Sequence, residues 1–222
     1  MDETLRIGSV EELLTPDELN EIRAGVLSIM KERRQEFSVT SRPRSVHRID
    51  GETLQTAKDV YEPAGRIEFD ELPKDLEDIA KAAVQRRLRD IRTLFPSARR
   101  SMDWFYVEYG TGQFITPHVD YPNNELDPAR PKIAAVSLLL ESAAEGGDFF
   151  VETFASHRLW SEQGAITRGA DFHSEEFRNT PKTRWRCQVN PGDAVLSGTQ
   201  MVHGTEPVVR GVAGKLIGFL GT

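Results

Sequence analysis

Cysteine is almost missing from this chain: its 222 residues hold one, Cys187. That excludes an internal disulfide framework and any CxxC pair, and it fits a reducing compartment. Long apolar runs are missing too. No stretch approaches the roughly 20 apolar residues of a membrane span, and Met1-Asp-Glu is followed by neither a basic nor an apolar leader segment. The expected setting is cytoplasmic, with no membrane. Excess positive charge is also missing, because 28 Lys and Arg face 35 Asp and Glu, a formal net charge of −7. Nucleic acid and anionic membrane are thereby poor main partners, a local basic strip aside. The chain shows no internal repeat, no low-complexity tract, no phosphate loop and no nucleophile with a neighbouring base.

What is present is an ordinary globular composition, 38% hydrophobic with a mean hydropathy of −0.45. The length suits one domain with a sizeable core. Helix signals come first. Thr15-Pro16-Asp17-Glu18 reads as a capped helix start, and Leu19, Ile22, Val26, Ile29 and Met30 follow at helical spacing, fading near Glu36. Pro73 opens a second helix that carries Leu76, Ile79, Ala83, Leu88, Ile91 and Leu94 and ends before Pro96. Between them, 38–66 reads as loops with short strands. From Met102 the texture changes to short strands: 102–109, 133–141, 148–154, 183–189, 194–197, 201–203 and 215–220. Many short strands after two helices predict a mainly β fold, a double-sheet jelly roll buttressed by helices. We expect a single domain over 1–222, with 1–100 as helical support and 101–222 as the core. Residues 155–181 have no clear periodicity and are long for a plain connection, which suggests a lid.

Chemistry concentrates in residues 106–120, YVEYGTGQFITPHVD. In an extended segment, residues two apart face the same way, so His118 and Asp120 aim an imidazole and a carboxylate at one spot. A second imidazole is on offer at His203, 85 residues downstream. Two histidines and a carboxylate with open positions form the ligand set of non-haem Fe(II) oxygenases.

The order of features is more specific than the pair. Tyr109-Gly-Thr-Gly-Gln113, His118-Val-Asp120, Ser137-Leu-Leu-Leu140, Glu145-Gly-Gly-Asp148, Pro191-Gly-Asp193, His203 with Pro207-Val208, and Lys215 follow one another along the chain. The pattern over roughly 102–220 resembles the Fe(II)/2-oxoglutarate-dependent dioxygenase superfamily, and within it the prolyl 4-hydroxylase-like branch. The resemblance implies a double-stranded β-helix core with His118, Asp120 and His203 as both iron ligands and catalytic centre. Fe(II), 2-oxoglutarate and O2 would be the cofactor and co-substrates, with ascorbate as a candidate accessory reductant. It further implies hydroxylation of an unactivated C–H bond with release of succinate and CO2.

Similar enzymes hold the far carboxylate of 2-oxoglutarate with a Lys or Arg at the start of the last strand. Here Ala213 stands at the usual spacing, flanked by Arg210 and Lys215. Lys215 is favoured because it opens the apolar run to Leu220, whereas Arg210 belongs to a turn. Tyr109 matches a tyrosine whose hydroxyl also bonds that carboxylate. Gly146-Gly147 reads as a structural turn, and His47, His157 and His173 as loop or surface histidines. Cys187 is expected to pack inward from its strand.

Rival readings stay in view. A cupin-like zinc or manganese enzyme would cluster ligands as His-x-His with a nearby Glu, which is absent; a catalytically silent binding module would have lost a ligand. For the substrate, the segment 155–181 holds His157, Arg158, Trp160, Arg168, Phe172, His173 and Arg178, and Arg42, Arg44, Arg48 and Arg66 form a second cationic group. These favour a small, anionic or amino-acid-like molecule over a protein-bound proline.

Overall fold

The computed structural model describes residues 3–47, 49, 51–120, 132–154, 179 and 181–222. Helix α1, Pro16–Arg33, starts where its cap chemistry dictates. The Glu18 N–H donates to the Thr15 hydroxyl, and Glu18 reaches back to accept the Thr15 N–H at 2.8 Å. The α-helix stops at Arg33, and a 3-10 turn carries the chain to Phe37. A further helix, α2 (Leu54–Tyr61), lies in the stretch expected to be loops and short strands; Thr53 caps it by accepting the Thr56 N–H. The single helix expected after Pro73 is two, α3 (Lys74–Arg86) and α4 (Leu88–Leu94), broken at Arg87. The break lets α4 lie against the first strand, where a side chain at Gly8 would meet Leu94 at 2.3 Å.

Twelve strands are described. The first two are β1 (Ile7–Val10) and β2 (Ile67–Phe69). Then come β3 (Arg100–Tyr109), β4 (Ile115–His118), β5 (Lys132–Glu141), β6 (Glu145–Gly146) and β7 (Phe149–Phe154). The last five are β8 (Lys182–Cys187), β9 (Ala194–Gly198), β10 (His203–Thr205), β11 (Val208–Arg210) and β12 (Ala213–Gly221). The larger sheet runs β1-β9-β5-β12-β3-β2 and the smaller β4-β10-β7-β8, with β11-β6 as a separate ribbon. Every pairing is antiparallel. This is the mainly β, jelly-roll architecture expected, with one addition: β1 and β2, from the first hundred residues, form both edges of the larger sheet.

Alternation along the larger sheet separates two cores. One face of β3 and β12 sends Trp104, Tyr106, Leu216 and Leu220 toward the helices, where they join Leu19, Ile22, Val26, Leu76 and Ile91. The other sends Phe105, Val107, Tyr109, Ile217 and Phe219 into the space between the sheets. The functional groups lie in that inner space. Among the described residues, no helix is long and apolar enough to cross a membrane.

Candidate active site

His118 and His203 are register partners on adjacent strands, β4 and β10, so the 85 intervening residues vanish in space. Their ring centroids are 4.4 Å apart. Gly204 makes the pairing possible, because a Cβ there would meet the Ile115 carbonyl at 2.8 Å and Phe150 at 2.6 Å. Each imidazole is fixed by a backbone carbonyl two residues earlier. His118 Nδ1 lies 2.8 Å from Thr116 O, and His203 Nδ1 lies 2.9 Å from Met201 O. A carbonyl can only accept, so Nδ1 carries the proton in each ring and Nε2 keeps its lone pair.

Both Nε2 atoms face Asp120, at 3.6 Å from Oδ1 for His118 and 3.4 Å from Oδ2 for His203. The three ligand atoms lie within 4.8 Å of one another. Asp120 reaches this place differently from the simple alternation expected. The strand β4 ends at His118, the chain bends, and the Asp120 N–H is held by Thr199 O at 3.1 Å. Both histidines are buried, and Phe149 stacks on His203 at 5.3 Å.

A third histidine stands beside them. His47 meets the His118 ring edge-on at 4.7 Å and stacks on Tyr61 at 4.8 Å. Tyr61 is brought there by Thr116, whose hydroxyl donates to the carbonyls of Val60 and Tyr61 at 3.2 and 3.3 Å. His47 is the loop residue expected, half-buried, but the loop brings it to the cavity wall. Burial, with His118 and Arg66 nearby, holds its pKa well below the ordinary histidine range. No local spacing in the sequence signals it.

At the other end of the cavity sits Lys215. It is 4% exposed, and its Nζ donates to the Thr205 hydroxyl at 3.1 Å and to Gly147 O at 3.5 Å. Burial pushes its pKa down to about 8, against the pull of Asp148. The ammonium lies 5.7 Å from the centre of the Tyr109 ring, itself buried. Arg210, the other candidate, is exposed on β11 opposite Glu145 and does not line the cavity. Thr205 went unnoticed in the sequence, although it stands two residues past His203 on one strand, where alternation puts both on the same face.

Of the four arginines read as an anion-binding group, three are described, and two of them, Arg44 and Arg66, line the cavity; all three are paired with carboxylates. Arg42 and Arg66 are buried among carboxylates, Arg42 against Glu62 and Arg66 against Glu68 and Glu62. Arg44 is exposed and pairs with Asp70 at 2.6 Å and Glu71 at 2.8 Å. Arg48 and residues 155–178 lie outside the described residues, and with them the expected lid, His157 and His173.

The cavity enclosing these groups measures about 400 Å³ and runs from Lys215 past His118 and His203 to Phe219 and Lys132. A family model, phytanoyl-CoA dioxygenase (PhyH), matches residues 9–209. The chain belongs to this family. Its members are Fe(II)/2-oxoglutarate-dependent dioxygenases, so the chain is an enzyme of the superfamily expected from the motif order. No curated protein matches it by sequence.

Solved structures agree on the fold. A prolyl 4-hydroxylase from Pseudomonas putida aligns over 99% of this chain and 94% of its own, with 13% identity and a TM-score of 0.56. AviO1 from Streptomyces viridochromogenes Tue57 aligns over 97% and 89%, at 13% identity and 0.58. HygX from Streptomyces hygroscopicus, solved with nickel, 2-oxoglutarate and hygromycin B bound, aligns over 99% and 84%, at 12% and 0.57.

The residues fit the family's cofactors. Two lone pairs and one carboxylate converge in a largely buried site, the donor set for a divalent iron that must keep open positions. A buried ammonium at the far end suits a co-substrate with a second carboxylate.

Proposed function

We propose that this member of the phytanoyl-CoA dioxygenase family hydroxylates a C–H bond of a small polar, anionic or amino-acid-like molecule, with His118, Asp120 and His203 holding Fe(II). The observation that carries this reading is the convergence of two imidazole Nε2 atoms and a carboxylate within 4.8 Å, in one cavity with a buried lysine. When bound, Fe(II) supplies the activation of dioxygen that is coupled to the conversion of 2-oxoglutarate to succinate and CO2.

The chain's own residues position and exclude. The Thr116 and Met201 carbonyls fix the two rings, so neither has to turn to accept a metal. Lys215, with the Thr205 and Tyr109 hydroxyls beside it, holds the far carboxylate of 2-oxoglutarate and sets its reach into the site. Phe149, Phe105 and Ile217 line the cavity with apolar surface, which limits water around the reacting groups.

The remaining space, toward Phe219, receives the substrate. Lys132 Nζ stands 4.2 Å over the Phe219 ring, which gives this end an aromatic floor under a cation. A cavity of about 400 Å³ suits a small molecule. The hygromycin B bound to HygX shows that this fold takes small molecules in at least one solved relative. The prolyl hydroxylases among the fold matches keep peptidyl proline as the competing reading.

Anaerobic addition of Fe(II) and 2-oxoglutarate should give a weak visible charge-transfer band, absent in His203→Ala. Succinate release, screened with amino acids, small natural products and a proline-rich peptide, then selects the substrate class. Release stimulated by the peptide alone would replace the small-molecule reading.

A further inference from the structure

Arg66 enters the same cavity from the N-terminal side, just before β2, and nothing above gives it a task. It is 3% exposed. Its Nη1 donates to the Tyr109 hydroxyl oxygen at 2.8 Å, its Nη2 pairs with Glu68, and its Nε lies 3.4 Å from a Glu62 oxygen. Those carboxylates are themselves held. Glu62 takes Arg42 and the Ser45 hydroxyl, and Glu68 accepts the Val46 N–H at 3.0 Å. The guanidinium therefore has one position, set by two acids and aimed at one phenol.

Hydrogen-bond polarity gives that arrangement a direction. A guanidinium has donors and no acceptor, so the Tyr109 oxygen must accept from Arg66, and the Tyr109 proton must be donated elsewhere. Lys215 acts on Thr205 in the same way: an ammonium only donates, so the Thr205 oxygen accepts, and its proton goes to the Tyr109 oxygen, to which Thr205 is hydrogen-bonded. Two cations thus leave one hydroxyl proton, that of Tyr109, to be donated elsewhere, next to an ammonium. A phenol proton beside an ammonium complements a carboxylate.

We propose that Arg66 is a positioning residue for the co-substrate: by making Tyr109 an acceptor on its outer side, it directs the Tyr109 proton to the far carboxylate of 2-oxoglutarate. The inference rests on the function proposed above. It makes co-substrate selection a joint property of the N-terminal residues 42–68 and the β core, since Arg66 acts through Tyr109 on β3. The effect is confined to the second carboxylate and does not reach the end of the molecule that chelates the metal.

The test compares two 2-oxo acids on the Fe(II)-loaded protein without oxygen, read by the charge-transfer band. Pyruvate keeps the chelating 2-oxo acid and lacks the second carboxylate. Arg66→Lys keeps a positive charge but not the fixed fork to Tyr109. It should raise the 2-oxoglutarate dissociation constant by about tenfold and leave that of pyruvate within about twofold. In a Tyr109→Phe background, Arg66→Lys should add less than about twofold, because the two act as one unit. Glu68→Gln loosens the hold on Arg66 without removing it. It should give a smaller loss of the same selectivity, and it stands in where Arg66→Lys does not fold.

Equal weakening of both 2-oxo acids would make Arg66 a packing residue, and additive effects with Tyr109→Phe would give it a separate action. Either result overturns the inference, as does an unchanged 2-oxoglutarate constant in both Arg66→Lys and Glu68→Gln. A wild-type protein with no band in either acid would instead remove the functional reading on which the inference stands.

Discussion

The two ends of the cavity are built by different means. At the end proposed for the metal, each imidazole is oriented by a backbone carbonyl two residues back, and the two strands are direct neighbours. At the end proposed for the co-substrate, Lys215, Thr205, Tyr109 and Arg66 come from four strands or their flanks and hold one another through side chains. Backbone partners are given by the fold and survive side-chain replacement. Side-chain partners do not, so the co-substrate end should respond to changes well outside it, whereas the metal end should respond to its ligands.

The largest effect expected is at the metal end. His118→Ala, Asp120→Ala and His203→Ala should each lower turnover more than about 100-fold, since even losing a group that only orients a metal ligand costs about 10–100-fold. Circular dichroism and thermal unfolding of the metal-free variants should stay near those of the wild type, because the cores contain none of these residues. Substantial turnover in any one variant would remove that residue from the ligand set.

Next comes the choice between the two cations. Removing one partner of a buried charged contact costs several kcal/mol. Lys215→Ala should therefore raise the 2-oxoglutarate KM about 100-fold or more, while Arg210→Ala, on the exposed ribbon, should change it by less than about twofold. The reverse ranking would break the comparison at its co-substrate end. A smaller step follows at Thr205→Val, which keeps the shape and loses the hydroxyl. One hydrogen bond is worth about 1 kcal/mol, so a KM increase of about five- to tenfold is expected, with the charge-transfer band retained. An unchanged KM would leave Lys215 alone as the anchor.

The same contrast explains what could be read from the sequence. The meeting of His118, Asp120 and His203 was legible because few residue types can converge as a metal-binding set, and their order along the chain follows the family pattern. Helix α1 was legible because Thr15, Pro16 and Glu18 settle its start within four residues. The break at Arg87 was not, because neither Gly nor Pro marks it; the packing of Leu94 on Gly8, far away in sequence, fixes it. Strands β1 and β2 are too short to show alternation. The arginines 42 and 66 looked like free cations because charge is visible in a sequence and partners are not. Glu62 and Glu68 stood within the same stretch, yet nothing local says that they turn inward. His47 was illegible for the same reason: only the docking of α2 on β4 brings it to His118.

The smallest effect expected lies away from both ends, and it separates scaffold electrostatics from those of the cavity. Glu18 on α1 accepts two hydrogen bonds from Arg86 on α3, both at 2.8 Å, and these hold its pKa down to about 2. An unperturbed glutamate titrates near pH 4.3. A carboxylate depressed on folding stabilises the protein fully above the unfolded value and loses that contribution as the pH falls through about 2. The pair is partly exposed, so solvent screening leaves about 1 kcal/mol at neutral pH. Glu18→Gln keeps the reach of the cap and removes the charge. It should lower the unfolding midpoint slightly at pH 7, and the gap from wild type should close between pH 4 and pH 2, followed by denaturant unfolding across that range. Its 2-oxoglutarate dissociation constant should equal that of the wild type, in contrast to Glu68→Gln, because no contact leads from Glu18 to Tyr109. A shift there as large as that of Glu68→Gln would mean that any lost ion pair loosens the cavity, and the special coupling of the co-substrate end to its side-chain network would be gone.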